Sequence, residues 1–158
     1  MMRSLILILF LLCFTTISYA HQKPVLHDAT GKSIPLSDLK GKWIIVNYWA
    51  EWCDSCMEEV PELNQFYSNN QDKNVVLYGV EYDHIPTPKL RAAIAKMHIN
   101  YPVIVEDPAA IWSLSAFDAL PMTFIIGPHG RVVKKIMGES TEASLSAVIQ
   151  TLQKKMST

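Results

Sequence analysis

The sequence has no excess of charge of either sign: 14 Lys and Arg stand against 15 Asp and Glu, for a formal net charge of −1 over 158 residues. Setting aside residues 1–20, which hold Arg3 and no acid, leaves −2. Nucleic-acid binding calls for a concentrated basic surface, and nothing here supplies one. Internal repeats, low-complexity tracts and collagen-like or disordered bias are also missing. With 49% apolar and 18% charged residues, the chain has the proportions of one packed globular domain. A hydrophobic run of membrane-spanning length is lacking as well. The unbroken apolar stretch of residues 5–14 follows Arg3 and precedes Ser18-Tyr19-Ala20. It is shorter than the roughly 20 residues a span needs and has the layout of an export leader. The expected division is a signal peptide over 1–20, cleaved near Ala20, and one domain over 21–158; a retained, membrane-anchored signal is the alternative.

Cysteine is scarce too, and the scarcity is informative. Of three cysteines, Cys13 lies inside the leader, behind the bulky Leu12 where a lipid-attachment signal calls for a small residue. The exported chain keeps two, Cys53 and Cys56. No second cysteine pair and no closely spaced histidine pair follows, so a closed four-ligand zinc site has no ligands to draw on. Covalent haem attachment needs His directly after the second cysteine, where this chain has Met57. As a structural staple, a two-residue loop constrains almost nothing. A reactive dithiol in an oxidising compartment remains.

The surroundings of the pair can be read from periodicity and turn chemistry. Two short extended pieces around Asp28-Ala29-Thr30-Gly31-Lys32 suit a small hairpin, and Ser37-Asp38-Leu39 a single helical turn. Residues 43–48 are apolar or β-branched except Asn47, as in a strand buried on both faces. From Cys53 to about Asn69 the spacing becomes helical, with Cys56, Val60, Leu63 and Tyr67 on one stripe and Pro61 expected to bend the helix. A strand from Val75 follows, then a helix opened by Thr87 and Pro88, a short strand at Val103, and a helix start at Asp107-Pro108. Two strands joined by Gly127-Pro128-His129-Gly130 form a hairpin. Ser140 or Thr141 opens a last helix ending in Lys154 and Lys155.

This placement distinguishes the two sulfurs. Cys53 falls at the tip of its helix, where unpaired N–H groups and the dipole favour a thiolate, whereas Cys56 lies one turn in, on the buried stripe. Cys53 is the expected nucleophile and Cys56 the resolving thiol.

Trp49-Ala50-Glu51-Trp52-Cys53-Asp54-Ser55-Cys56, Glu59-Val60-Pro61, Leu120-Pro121-Met122-Thr123-Phe124 and the Asp28 to Leu39 stretch together resemble the thioredoxin superfamily. Within it, the chain resembles the TlpA, ResA and CcmG (DsbE) branch of exported, periplasmic thiol–disulfide oxidoreductases. The resemblance implies an α/β thioredoxin fold: a central mixed sheet flanked by helices, with a small N-terminal β-hairpin extension. It further implies that Pro121 is cis and faces the cysteine pair and that Leu120 offers backbone groups to an extended substrate. Trp52 suits transient protein docking or, equally, ordinary packing beside the site. No cofactor beyond the redox-active disulfide is implied. A membrane thiol transporter of the DsbD or CcdA type is the implied electron donor, protein disulfides are the substrates, cytochrome c maturation is one setting, and monomer is the default state.

Two departures bear on mechanism. Asn47 stands where thioredoxin has a buried carboxylate, and an amide cannot serve as base for the resolving thiol; Glu81 is the candidate base, with Asp83 and His84 beside it. Asp54-Ser55 separates the cysteines, and a carboxylate at Asp54 disfavours the Cys53 thiolate, which makes the dithiol a better reductant. The expected activity is reduction of protein disulfides. A disulfide-forming oxidase or isomerase stays open, as does a copper-delivery module in which Cys53, Cys56 and a histidine such as His84 bind the ion.

Overall fold

The computed structural model describes residues 25–71 and 73–156; the leader expected over 1–20 lies outside them. The elements run β1 (Val25–His27), β2 (Ser33–Pro35), a 3₁₀ turn (Leu36–Leu39), β3 (Trp43–Trp49), α1 (Asp54–Asn70), β4 (Val75–Glu81), α2 (Thr87–Lys96), β5 (Val103–Ile104), α3 (Ala109–Trp112), β6 (Met122–Ile126), β7 (Val132–Met137) and α4 (Glu142–Met156). β1 and β2 form an antiparallel pair, and the remaining strands form one mixed sheet in the order β5-β4-β3-β6-β7. β3 pairs in parallel with β4, reached through α1, and antiparallel with β6. Every residue of β3 is buried, as its apolar run requires of a central strand covered on both faces.

The alternation of side chains along β3 sorts the core into two layers. Trp43, Ile45 and Trp49 pack with Val60, Leu63 and Phe66 of α1, Leu90 and Ala93 of α2, and Leu145 and Ile149 of α4. Ile44, Val46 and Tyr48 face the opposite layer, built from Leu26 and Ile34 of the hairpin, Leu39 and Trp112. The hairpin also meets the β5 edge, where Ala29 N donates to Val103 O at 2.8 Å and Val105 N to His27 O at 2.9 Å.

Local differences from the expected pattern have identifiable causes. Phe66, not Tyr67, is the deeply buried aromatic of α1, which leaves Tyr67 half-buried. α1 continues through Pro61. α2 begins at Thr87 without a side-chain cap, Pro86 preceding it; prolines at both 86 and 88 set the backbone instead. Asp107 performs the expected helix-start role by accepting from Ala109 N at 2.9 Å, and its Oδ1 also receives the Tyr48 hydroxyl at 2.6 Å. At α4 the cap is Thr141, whose Oγ1 accepts from Ser144 N at 3.1 Å while Ser144 Oγ accepts from Thr141 N at 3.0 Å, a reciprocal arrangement of the capping-box kind.

Candidate active site

β3 is central and parallel to β4, so its C-terminal end delivers the chain to the sheet edge where α1 starts. There Cys53 and Cys56 are joined by a disulfide. Cys53 is the N-cap of α1, and its Sγ accepts from Cys56 N at 3.2 Å. The first-turn N–H groups of a helix have no carbonyl partner within it, so this contact places the sulfur where an anion is favoured. Exposure separates the two cysteines: Cys53 is 6% exposed and Cys56 1%. Cys53 lines an open groove of about 670 Å³, and Cys56 does not. The arrangement suits reversible thiol–disulfide exchange in which an incoming sulfur meets Cys53 first.

The other expected site residues fall into two groups. Trp52, Asp54, Ser55 and Leu120 line the groove with Cys53. Ser55 Oγ lies 3.5 Å from Cys53 Sγ. Trp52 is 63% exposed and held by its indole N–H, which donates to Asp83 Oδ2 at 2.6 Å. The Leu120–Pro121 peptide is cis; Pro121 is buried at the mouth of β6, and its carbonyl accepts from Gly138 N at 2.9 Å.

Asn47 and Glu81 belong to the second group, below the groove. Glu81, buried at the end of β4, accepts from Ile85 N at 3.1 Å and thereby closes the turn after the strand. Among the described residues no hydrogen bond links it to either cysteine. His84 sits 3.6 Å from Asp107. Asn47, 1% exposed on β3, donates through Nδ2 to Glu59 Oε2 at 2.9 Å and to Thr123 Oγ1 at 3.0 Å.

Glu59 is not among the site residues expected on sequence grounds, and the structure makes it the buried carboxylate of the site. It lies one helical turn beyond Cys56 on α1 and is 2% exposed, with Oε1 accepting from Ser140 N at 2.8 Å. Burial pushes its carboxyl up to about 7, against the Asn47 and Ser140 hydrogen bonds that hold it down, and the nearby Glu139 charge adds to the rise. The sequence does carry a signal: Glu59 falls at i+3 from Cys56 and i−4 from Leu63, on the apolar stripe, where a charge needs partners. Tyr82 and Asp118 also line the groove, beyond the residues that the sequence points to.

Tyr101 lies near this carboxylate, its hydroxyl ionisation driven up by complete burial and by the Glu59 charge. Gly79, opposite Asn47 in the sheet, makes room for the buried aromatics. A Cβ there would lie 2.9 Å from Trp49 Nε1 and 3.0 Å from Tyr101 Cε2.

Comparison with known proteins agrees with this geometry. The AhpC/TSA family model matches residues 20–135. The chain is 37% identical over 127 residues to the thiol-disulfide oxidoreductase ResA of Bacillus subtilis, covering 77% of this chain and 67% of that protein. It is 31% identical over 128 residues to a ResA of Bacillus cereus, covering 81% and 73%. Among solved structures, a thiol:disulfide interchange protein of the thioredoxin family from Chlorobium tepidum TLS superposes with a TM-score of 0.69 at 24% identity, covering 81% of this chain and 91% of that one. StoA from Bacillus subtilis superposes with a TM-score of 0.66 at 20% identity, covering 78% and 93%. These two establish the fold, a thioredoxin-like mixed sheet with an N-terminal hairpin. By the extent of the family match and the identity to the two ResA proteins, the chain belongs to the thioredoxin-like AhpC/TSA family.

Proposed function

We propose that this protein is an exported thiol–disulfide oxidoreductase that reduces protein disulfides through a Cys53–Cys56 dithiol/disulfide cycle. The observation that carries the reading is the asymmetry of the pair: Cys53 caps a helix and opens on a groove, while Cys56 is sealed beneath it. The named activity of the ResA relatives supports it. Reduced Cys53 attacks a substrate disulfide and forms a mixed disulfide; Cys56 then displaces the substrate and leaves the enzyme oxidised. For this second step Cys56 must lose a proton in a nearly dry environment. Glu59, at the next turn of the same helix with its carboxyl near 7, is poised to accept it, since a general base works best with a pKa close to the operating pH, whereas the Glu81 carboxylate is taken up by Ile85 N. Asn47 takes the positioning role, holding the Glu59 carboxylate by a hydrogen bond.

Asp54 opposes the anion-stabilising helix terminus and favours reductive use of the pair. Leu120, which lines the groove with Trp52 and precedes the cis Pro121, offers the backbone against which an extended substrate segment docks. The cycle needs no cofactor beyond the disulfide. The leader-like residues 5–20 support export to the periplasm or an equivalent oxidising space, where a membrane thiol transporter of the DsbD or CcdA type supplies electrons. Cytochrome c maturation is the setting we favour, and the monomer is the working unit.

The test is to trap mixed disulfides in cells with Cys56→Ala and to measure the equilibrium of the wild-type pair with a glutathione buffer. A reductant gives trapped partners that accumulate oxidised when the protein is deleted, and a pair more reducing than glutathione. A pair more oxidising than glutathione, with partners accumulating reduced on deletion, would sink the reductive direction.

A further inference from the structure

The groove beside Cys53 is acidic as well as aromatic. Asp54 and Asp118 line it together with the exposed side chains of Trp52 and Tyr82, and among the described residues no lysine, arginine or histidine does so. The neighbouring carboxylates are engaged: Asp83 accepts from the Trp52 indole, Glu51 pairs with Lys96 at 2.6 Å, and Glu81 accepts from Ile85 N. Asp54 and Asp118 have no ion-pair or hydrogen-bond partner among the described residues. Lys135, on β7, donates to Ala116 O at 3.0 Å and lies over the Phe117 and Phe124 rings. Two carboxylates without an ion-pair partner and two exposed aromatic side chains thus line one groove with the sulfur that a substrate can reach.

We propose that this groove selects disulfides flanked by a cationic side chain, so that the preferred substrate is an extended protein segment with Lys or Arg next to the attacked cysteine. The proposal deepens the reductase reading above and rests on it. A cation at that place is attracted by both carboxylates and by the faces of Trp52 and Tyr82, whereas an acidic neighbour would add a third negative charge.

The same cation assists the chemistry. Cys53 thiolate attacks one substrate sulfur, forming the Cys53–substrate bond, breaking the substrate S–S bond and leaving its second sulfur as a thiolate. Cys56 gives up its proton and attacks Cys53 Sγ, closing the Cys53–Cys56 bond and releasing the first substrate sulfur as a thiolate. Two electrons pass to the substrate, and both released thiolates take up protons. A positive neighbour lowers the pKa of a leaving thiol, and lower-pKa thiols leave faster.

Three fluorogenic peptide disulfides, identical except for Lys, Ser or Glu beside the attacked cysteine, test this. The reduced protein is mixed with each in stopped flow at low and high salt, and each rate is divided by that of dithiothreitol with the same peptide to remove intrinsic reactivity. The normalised Lys rate is expected about threefold to fivefold above Ser, and Glu lower by a similar factor, the size of an exposed ion pair in each direction. High salt should shrink the ratio, Asp118→Asn and Asp54→Asn should each shrink it, and Asp118→Lys should invert it. Each ratio is internal to one variant, so a general loss of activity does not affect it, and the salt series on the wild type needs no variant. Equal normalised rates for all three peptides at low salt overturn the inference and leave the reductase reading standing. Failure to reduce any of the three removes that reading and the inference with it.

Discussion

Replacing Glu59 with Gln keeps the shape of the side chain and removes its charge, so its effects can be worked out from the buried network. In the folded protein the Glu59 carboxyl is pushed from 4.5 up to about 7 by burial, so the native state holds this proton more tightly than the unfolded chain does. Stability from this group is therefore greatest where Glu59 is protonated and falls as pH rises from the ordinary carboxylate range through about 7. At about 1.4 kcal/mol per pKa unit, the loss is about 3 kcal/mol. The amide of the variant has no such titration. Urea unfolding of the oxidised proteins, followed by tryptophan fluorescence at about pH 5 and pH 8, should show Glu59→Gln gaining about 2.5 kcal/mol on the wild type between the two pH values, the remainder of the loss falling below pH 5. Using the difference between pH values cancels any fixed packing cost of the amide. With the pair reduced, the same variant should lose the rise in mixed-disulfide resolution through about pH 7, with a roughly 10²- to 10⁴-fold slower step when a general base is removed. Parallel stability curves across that range, or an unchanged pH profile of resolution, would refute the assignment of Glu59 as a buried, proton-exchanging carboxylate.

Gly79→Ala should destabilise the protein by about 1–3 kcal/mol through overpacking, because its Cβ would meet Trp49 Nε1 at 2.9 Å, Tyr101 Cε2 at 3.0 Å and Val103 Cγ2 at 3.2 Å; thermal unfolding measures this, and an unchanged midpoint would contradict the packing. Phe66→Ala empties a 1%-exposed position between α1 and the sheet and should cost about 3–5 kcal/mol in urea unfolding. Asp107→Ala removes the acceptor of both Ala109 N and the buried Tyr48 hydroxyl, with an expected loss of about 2 kcal/mol; Tyr48→Phe in the same background should then cost nothing further, which a double-mutant cycle reads directly.

The architecture is largely legible in the sequence because its signals are local. The apolar run of β3, the change to helical spacing at Cys53 and the Gly127 to Gly130 turn each depend on neighbours a few residues away, and all three appear where expected. The site is legible at its centre and obscure around it. Cys53 and Cys56 are recognisable from spacing, and their unequal burial follows from their positions on one helix. Glu59 is visible as part of a family motif without its consequence, since a lone acid on an amphipathic helix reads equally well as a solvated boundary residue until the partners covering it are known. Glu81 stands out as an acid at the end of a buried strand, yet its carboxylate closes the local turn at Ile85.

The cysteine pair, its unequal placement at the start of α1 and the order of strands and helices are thus properties of the sequence alone, because covalent spacing and helix geometry dictate them over a few residues. What surrounds the pair depends on the closed fold. Asn47 meets Glu59 and Thr123 only because β3 lies between α1 and β6. Ser140 reaches the same carboxylate across 81 residues of chain, and Asp118 joins Asp54 at one groove because the loop before β6 folds back over the start of α1. The proton affinity of Glu59 and the charge of the groove arise from burial and from groups brought together through space, and neither exists until the chain has closed on itself.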